Sequence, residues 1–164
     1  MARVPIIRPE VLDDPVIGEI FSWVTQMEGE VPNHFLVELN FPEFLKAKLG
    51  ATQVLWQLGE LSLPEIQHVG ILVSKANRCS YCTAAFCTIL NYGLETPQDY
   101  VQSLADQGLE AVSDPRLHGL LAFALKVNAD AASTTDADVE NLRALGLGNK
   151  GIVQLVHLVS DFAS

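Results

Sequence analysis

Charge is scarce in this chain of 164 residues, with Asp, Glu, Lys and Arg making up 18% against the roughly 25% of an average soluble protein. Basic residues are scarcer still: 10 Lys plus Arg stand against 20 Asp plus Glu, a formal net charge of -10. That excludes a nucleic-acid partner held by Lys and Arg on phosphates, and it leaves no basic cluster for an anionic membrane surface. Long apolar runs are also missing, since no segment approaches the ~18 consecutive apolar residues of a membrane span. Met1 to Pro9 has two Arg but no apolar run ahead of a small-residue cleavage site, so no secretory signal is expected. Cysteine is limited to three residues. An odd number, two of them in Cys79-x-x-Cys82, is not the framework of a secreted disulfide scaffold and points to a reducing, cytoplasmic setting. No second CxxC and no HxxxH completes a four-ligand zinc site, and His34, His68, His118 and His157 are scattered, so no metal is expected. No glycine-rich phosphate loop is present, so no nucleotide cofactor is expected either.

Hydrophobic residues, by contrast, reach 49%. The length suits a single domain spanning residues 1–164, large enough to bury roughly 70% of the surface its unfolded chain exposes. Apolar excess beyond that core is expected to meet another subunit, which makes a homo-oligomer the expected state. Helical punctuation dominates and strand-like alternation is rare, so the fold class is all-α. Asp14-Pro15 starts a helix that runs to Gln26, stopped by Gly29 and Pro32. Shorter and longer helices follow at Asn33 to Asn40 and Pro42 to Leu58. Ser62-Leu-Pro-Glu65 is a capping box opening a helix to about Ala76. After a break at Asn77-Arg78, Cys79 to Asn91 forms the next helix, stopped by Gly93. Thr96-Pro97, Asp114-Pro115 and Thr135-Asp136 are capping signals for helices ending near Gln107, Asp130 and Leu145, with Ala129 to Thr135 as a loop. The last helix, from Lys150 to the end, is apolar on nearly every side, so burial in a core or an interface is expected.

The chemistry is concentrated between Leu61 and Asn91. On a helix Cys79 and Cys82 lie about 60° apart and one turn along, close enough to form a disulfide without unfolding. Cys79 sits at a helix start, where unsatisfied amides, the dipole and neighbouring Arg78 favour a thiolate. Cys87 lies about 140° around from Cys82 and is expected to be a small buried hydrophobe. Cys79, Cys82, Phe86 and Leu90 form one stripe, and Gln67, Ile71 and Ser74 form a matching one on the preceding helix. Antiparallel packing across Asn77 would put the two stripes around one small, mostly apolar cavity, although either stripe would also serve as ordinary core.

The run Leu63-Pro64 followed by an apolar helix and Ala76-Asn77-x-Cys79-x-Tyr81-Cys82-x-Ala84-Ala85 resembles the carboxymuconolactone decarboxylase and AhpD-like alkyl hydroperoxidase superfamily, in its peroxidase-related branch. Leu120-Leu121-Ala122-Phe123-Ala124 and Thr135-Asp136-Ala137-Asp138-Val139 support the resemblance, which covers most of the chain after Gly50. It implies a single-domain AhpD-like helical bundle with the CxxC at the N-terminus of a central helix. It also implies a thiol peroxidase in which Cys82 attacks a small hydroperoxide, Cys79 resolves the sulfenic acid and an external dithiol reduces the disulfide, with no cofactor. The dipole alone favours Cys79 as the more acidic thiol.

Redox-active members carry a Glu twelve residues before the first Cys and a His four after the second. Here those positions hold Gln67 and Phe86, neither of which transfers a proton. Since such groups supply about 10²- to 10⁴-fold, the resemblance implies a peroxidase that is weakened or silent. Glu65, His68 and Tyr81 are the nearby substitutes. Each also has an ordinary role, as a cap, a partly buried residue and a surface aromatic. Two alternatives stand beside the peroxidase: a decarboxylase-type lyase using Lys75 or Arg78, and a non-catalytic redox sensor. Members of the family run further at the C-terminus, so this end is expected to be cut short or completed by a neighbouring subunit.

Overall fold

A computed structural model describes residues 3–11 and 13–163. Met1 and Ser164, the two ends considered above, lie outside them. Every regular element among the described residues is helical, and they fall into two compact units, Met1–Val54 and Leu55–Ser164.

In the first unit, α1 (Pro15–Glu28) begins where the Asp14 carboxylate accepts the amides of Val16 (3.0 Å) and Ile17 (3.4 Å). It ends at Gly29, whose φ of 84° is the left-handed conformation that favours a residue without a side chain. After α2 (Asn33–Glu38) comes α3 (Pro42–Gln57), within which the boundary between the units falls. Ile17, Ile20, Phe21 and Val24 pack with Phe35, Leu39, Leu45 and Leu49. Ion pairs Lys46–Asp14 and Lys48–Glu38, both 2.8 Å, lie at the edge of this cluster.

The second unit is built around α4 (Leu63–Ala76), every residue of which from Ile66 to Ser74 is buried. Its capping box is complete: Ser62 accepts the Glu65 amide while the Glu65 carboxylate accepts the Ser62 amide. Around it pack α5 (Ser80–Thr88), α6 (Gln98–Gln107), α7 (Pro115–Ala129) and α9 (Asn149–Phe162), with α8 (Asp136–Ala144) beside α7. Three-residue and four-residue helical turns at Ala131–Ser133 and Gly108–Ala111 occupy two of the connections.

Three expectations need correcting. The helix buried on nearly every side is α4. The last helix, α9, is amphipathic, burying Gln154, Leu155, Leu158, Val159 and Phe162 but exposing Val153, Val156 and His157. Thr96 does not cap α6, because its amide donates to Leu90 O and its carbonyl accepts from Asn91; Pro97 takes the cap position. The cysteine helix is not α-helical to Asn91, since it widens into a π-helical turn at Ile89–Gly93. No helix among the described residues is long and apolar enough to cross a membrane.

Candidate active site

The short link between α4 and α5 delivers the cysteine pair. Asn77 ends α4, Arg78 takes a left-handed conformation (φ 59°), its amide donates to Lys75 O (3.0 Å) and the amide of Cys79 reaches back to Ser74 O (2.9 Å). This is the Schellman arrangement, normally built on glycine. It reverses the chain in three residues and makes Cys79 the N-cap of α5. Asn77 and Asn128 exchange two side-chain hydrogen bonds of 3.0 Å, tying this turn to the end of α7.

Cys79 and Cys82 are joined by a disulfide, with their Cα atoms 5.3 Å apart. Both are half-buried, and the Cys82 amide donates to Cys79 Sγ at 3.3 Å. The first sulfur of the pair therefore sits at the positive end of the helix with an amide pointed at it, the setting that stabilises a thiolate once the bond is reduced. The half-burial leaves the pair accessible to a small reactant. Such an arrangement can pass between disulfide and dithiol with only the two side chains moving.

The flanking residues take separate places. Gln67 is 0% exposed and neither its Oε1 nor its Nε2 has a hydrogen-bond partner. Phe86 is half-buried, with its ring against Gly70 of α4 and edge-on to Phe162 of α9, centroids 4.6 Å apart. Glu65 is spent at the start of α4, in the capping box and in an ion pair with Arg116 (2.9 Å). His68 points at α6: Nδ1 lies 2.6 Å from Pro64 O and Nε2 lies 3.0 Å from the Tyr100 hydroxyl. Burial pushes its pKa down, favouring the neutral ring. Tyr81 is 56% exposed, on the outer face of α5. The structure thus sets Phe86 of α5 against Gly70 of α4 and buries Gln67 on α4, and it sends Glu65 toward Arg116 and His68 toward α6.

Cys87 is not buried as expected. It is half-exposed and lines a cleft of about 210 Å³ with Asn91 and Tyr92 on one side and Gln98, Val101 and Gln102 on the other. Partial burial raises its pKa, so it is the less reactive kind of thiol. Tyr100, the partner of His68, was invisible in the sequence because nothing local links residues 32 positions apart. No group of three or more His, Cys, Asp or Glu side chains suited to a metal occurs among the described residues.

No protein-family model matches the chain, and no curated protein matches it. Solved structures do. An alkylhydroperoxidase AhpD-core, peroxidase-related protein from Ralstonia eutropha JMP134 superposes with a TM-score of 0.85 at 28% identity, over 98% of this chain and 84% of its own. This is the AhpD-core fold. A peroxidase-related protein from Silicibacter sp. TM1040 superposes with a TM-score of 0.84 at 23% identity, over 99% of this chain and 83% of its own. A cysteine-to-alanine variant of the debrominase Bmp8, in complex with 2,3,4-tribromopyrrole, gives 0.80 at 16% identity, over 99% of this chain and 84% of its own. At those two identities the likeness concerns the fold. The all-α class, the CxxC at the start of a helix and the AhpD-like architecture expected from the sequence all stand.

Proposed function

We propose that this protein is a thiol-dependent oxidoreductase that reduces small organic hydroperoxides through Cys82 and Cys79. The observation that carries the reading is the pairing of the two half-buried sulfurs across the first turn of α5, with an amide directed at Cys79. The Cys82 thiolate attacks the terminal peroxide oxygen, the O–O bond breaks, and the alkoxide takes a proton and leaves as alcohol. The Cys79 thiolate then attacks the sulfur of the Cys82 sulfenic acid and expels hydroxide, which leaves as water after protonation. An external dithiol gives two electrons and two protons to the resulting disulfide and is itself oxidised. A reducing cytoplasm suits that last step, and the chain works there as a homo-oligomer. The amide at Cys79 has a place in this order, because a resolving cysteine that is already a thiolate attacks without waiting for a base. The 28% identity to an AhpD-core, peroxidase-related protein supports the same chemistry.

A redox sensor is the second reading, favoured by the ring of Phe86 against Gly70 and Phe162, where an acid-base group would otherwise stand. The lyase reading is weaker: Lys75 is already bonded to the carbonyls of Ala105 and Asp106 at the end of α6. An organic hydroperoxide added with dithiothreitol separates these. Repeated turnover by the parent, lost in Cys82→Ser, is expected. A single equivalent of disulfide formed without turnover assigns the sensor, and no oxidation in either protein overturns both readings.

A further inference from the structure

One buried polar group beside the cysteine pair has no partner in the oxidised protein. The Ser74 side chain is 0% exposed and its Oγ makes no hydrogen bond. Orphaned buried hydroxyls are uncommon, because each forfeits its hydration without compensation. Its position on α4 is set by contacts on either side. His68 and Lys75 reach Tyr100, Ala105 and Asp106, so that side of α4 faces α6. Gly70 touches the ring of Phe86, so its side faces α5. Ser74 lies about 40° from Gly70 and about 100° from Lys75 around the helix, which puts it on the α5 side. The two helices form a tight antiparallel hairpin through Asn77 to Cys79. One turn along α4 from Gly70 is Ser74, and one turn back along α5 from Phe86 is Cys82.

We infer that the Ser74 hydroxyl is the hydrogen-bond donor for the Cys82 thiolate in the reduced protein, and that it tunes the redox balance of the pair. This rests on the reading of Cys79 and Cys82 as a redox couple. A disulfide sulfur is a poor acceptor, whereas a thiolate is a strong one, so the donor is idle in one state and engaged in the other. Reduction by an added dithiol moves two electrons onto the pair and breaks the S–S bond; the added dithiol becomes a disulfide. Cys79 Sγ keeps the Cys82 amide, while Cys82 Sγ gains the Ser74 O–H. Each sulfur then has its own donor, without the Glu and His that are replaced by Gln67 and Phe86. Ser74 acts as a positioning residue for a reacting atom of the chain.

Ser74→Ala tests the inference, and a smaller side chain there does not obstruct folding. Equilibrated against dithiothreitol and trapped with an alkylating agent, the variant is expected to shift about tenfold toward the disulfide, a potential lower by about 30 mV. In a Cys79→Ser background, the thiolate titration of Cys82, followed by ultraviolet absorbance, is expected to move up by about one pH unit on adding Ser74→Ala. The oxidised variant is expected to melt no lower than the oxidised parent, since it loses only an unpaired hydroxyl. An unchanged equilibrium and titration would overturn the role of Ser74, as would equal loss of stability in oxidised and reduced forms. A parent that consumes no hydroperoxide, while Ser74→Ala still produces both shifts, would overturn the peroxidase reading and leave the role of Ser74 in place.

Discussion

The ring of Phe86 lies on Gly70 so closely that a side-chain carbon added to the glycine would stand 2.5 Å from Phe86 Cδ1. No ordinary carbon–carbon contact is that short, so the hairpin of α4 and α5 depends on the absence of a side chain at position 70. Gly70→Ala is expected to destabilise the protein by about 1–3 kcal/mol through overpacking. Trimming the ring in the same chain, as Gly70→Ala with Phe86→Leu, should recover most of that loss. Melting of the four proteins of this double-mutant cycle measures the coupling, and simple additivity would show that the glycine serves only its own helix.

The same pair of helices sets a test of catalytic competence. Gln67→Glu alone places a carboxyl at a position with 0% exposure, where burial raises its pKa and keeps it protonated. Alone it should add little. Together with Phe86→His it would have a basic partner one turn from Cys82, and general acid-base assistance of about 10²- to 10⁴-fold becomes accessible. The expected result is a rise in kcat/KM for an organic hydroperoxide in the double variant well beyond the product of the single effects. Equal rates in all four proteins would locate the slow step outside proton transfer.

Local signals carried the helix starts that matter for the site. The Ser62–Glu65 box and the Asp14, Asp114 and Thr135 caps are short-range hydrogen bonds between residues two or three apart, and all four form. The cysteine pair was legible for the same reason. What stayed hidden depends on long-range packing. Whether His68 faced α5 or α6 turned on the rotation of α4, which is fixed by Tyr100, Ala105 and Asp106 more than 25 residues away. The burial of α4 on all sides is likewise a property of the helices around it. Its sequence is only slightly more apolar than that of α9, which has an open face.

Gln154 is the clearest long-range tie. It is 3% exposed; its Oε1 accepts the amides of Glu60 (2.7 Å) and Leu61 (2.9 Å), and its Nε2 donates to Leu55 O (2.5 Å). One side chain on α9 thereby completes the backbone of the segment that leads into α4. Gln154→Leu removes it at nearly constant volume and leaves two amides and a carbonyl without partners. Leu61 is the buried one of the three, and at about 1–3 kcal/mol for an orphaned buried group a loss of about 1–3 kcal/mol is expected in denaturant unfolding. Gln154→Glu should be nearly as harmful, because the amide donor to Leu55 is lost and a charge is buried. A loss under 1 kcal/mol (on the order of an exposed hydrogen bond) would mean that water replaces the side chain.

Glu28 offers a test by pH in the first unit. It closes α1, and burial raises its carboxyl from 4.5 to about 7. The negative end of the helix dipole also disfavours charge there. A pKa higher in the folded than in the unfolded state means that the native protein holds the proton more tightly. The associated stability is complete below pH 4.5 and is lost as pH rises toward about 7. Glu28→Gln cannot ionise and keeps the neutral side chain at every pH. Its stability relative to the parent should therefore be level below pH 4.5, grow between 4.5 and about 7, and stay constant above that. Denaturant unfolding of both proteins across this range, followed by tryptophan fluorescence, gives the difference directly. A flat difference would show that Glu28 reaches water and titrates alike in both states.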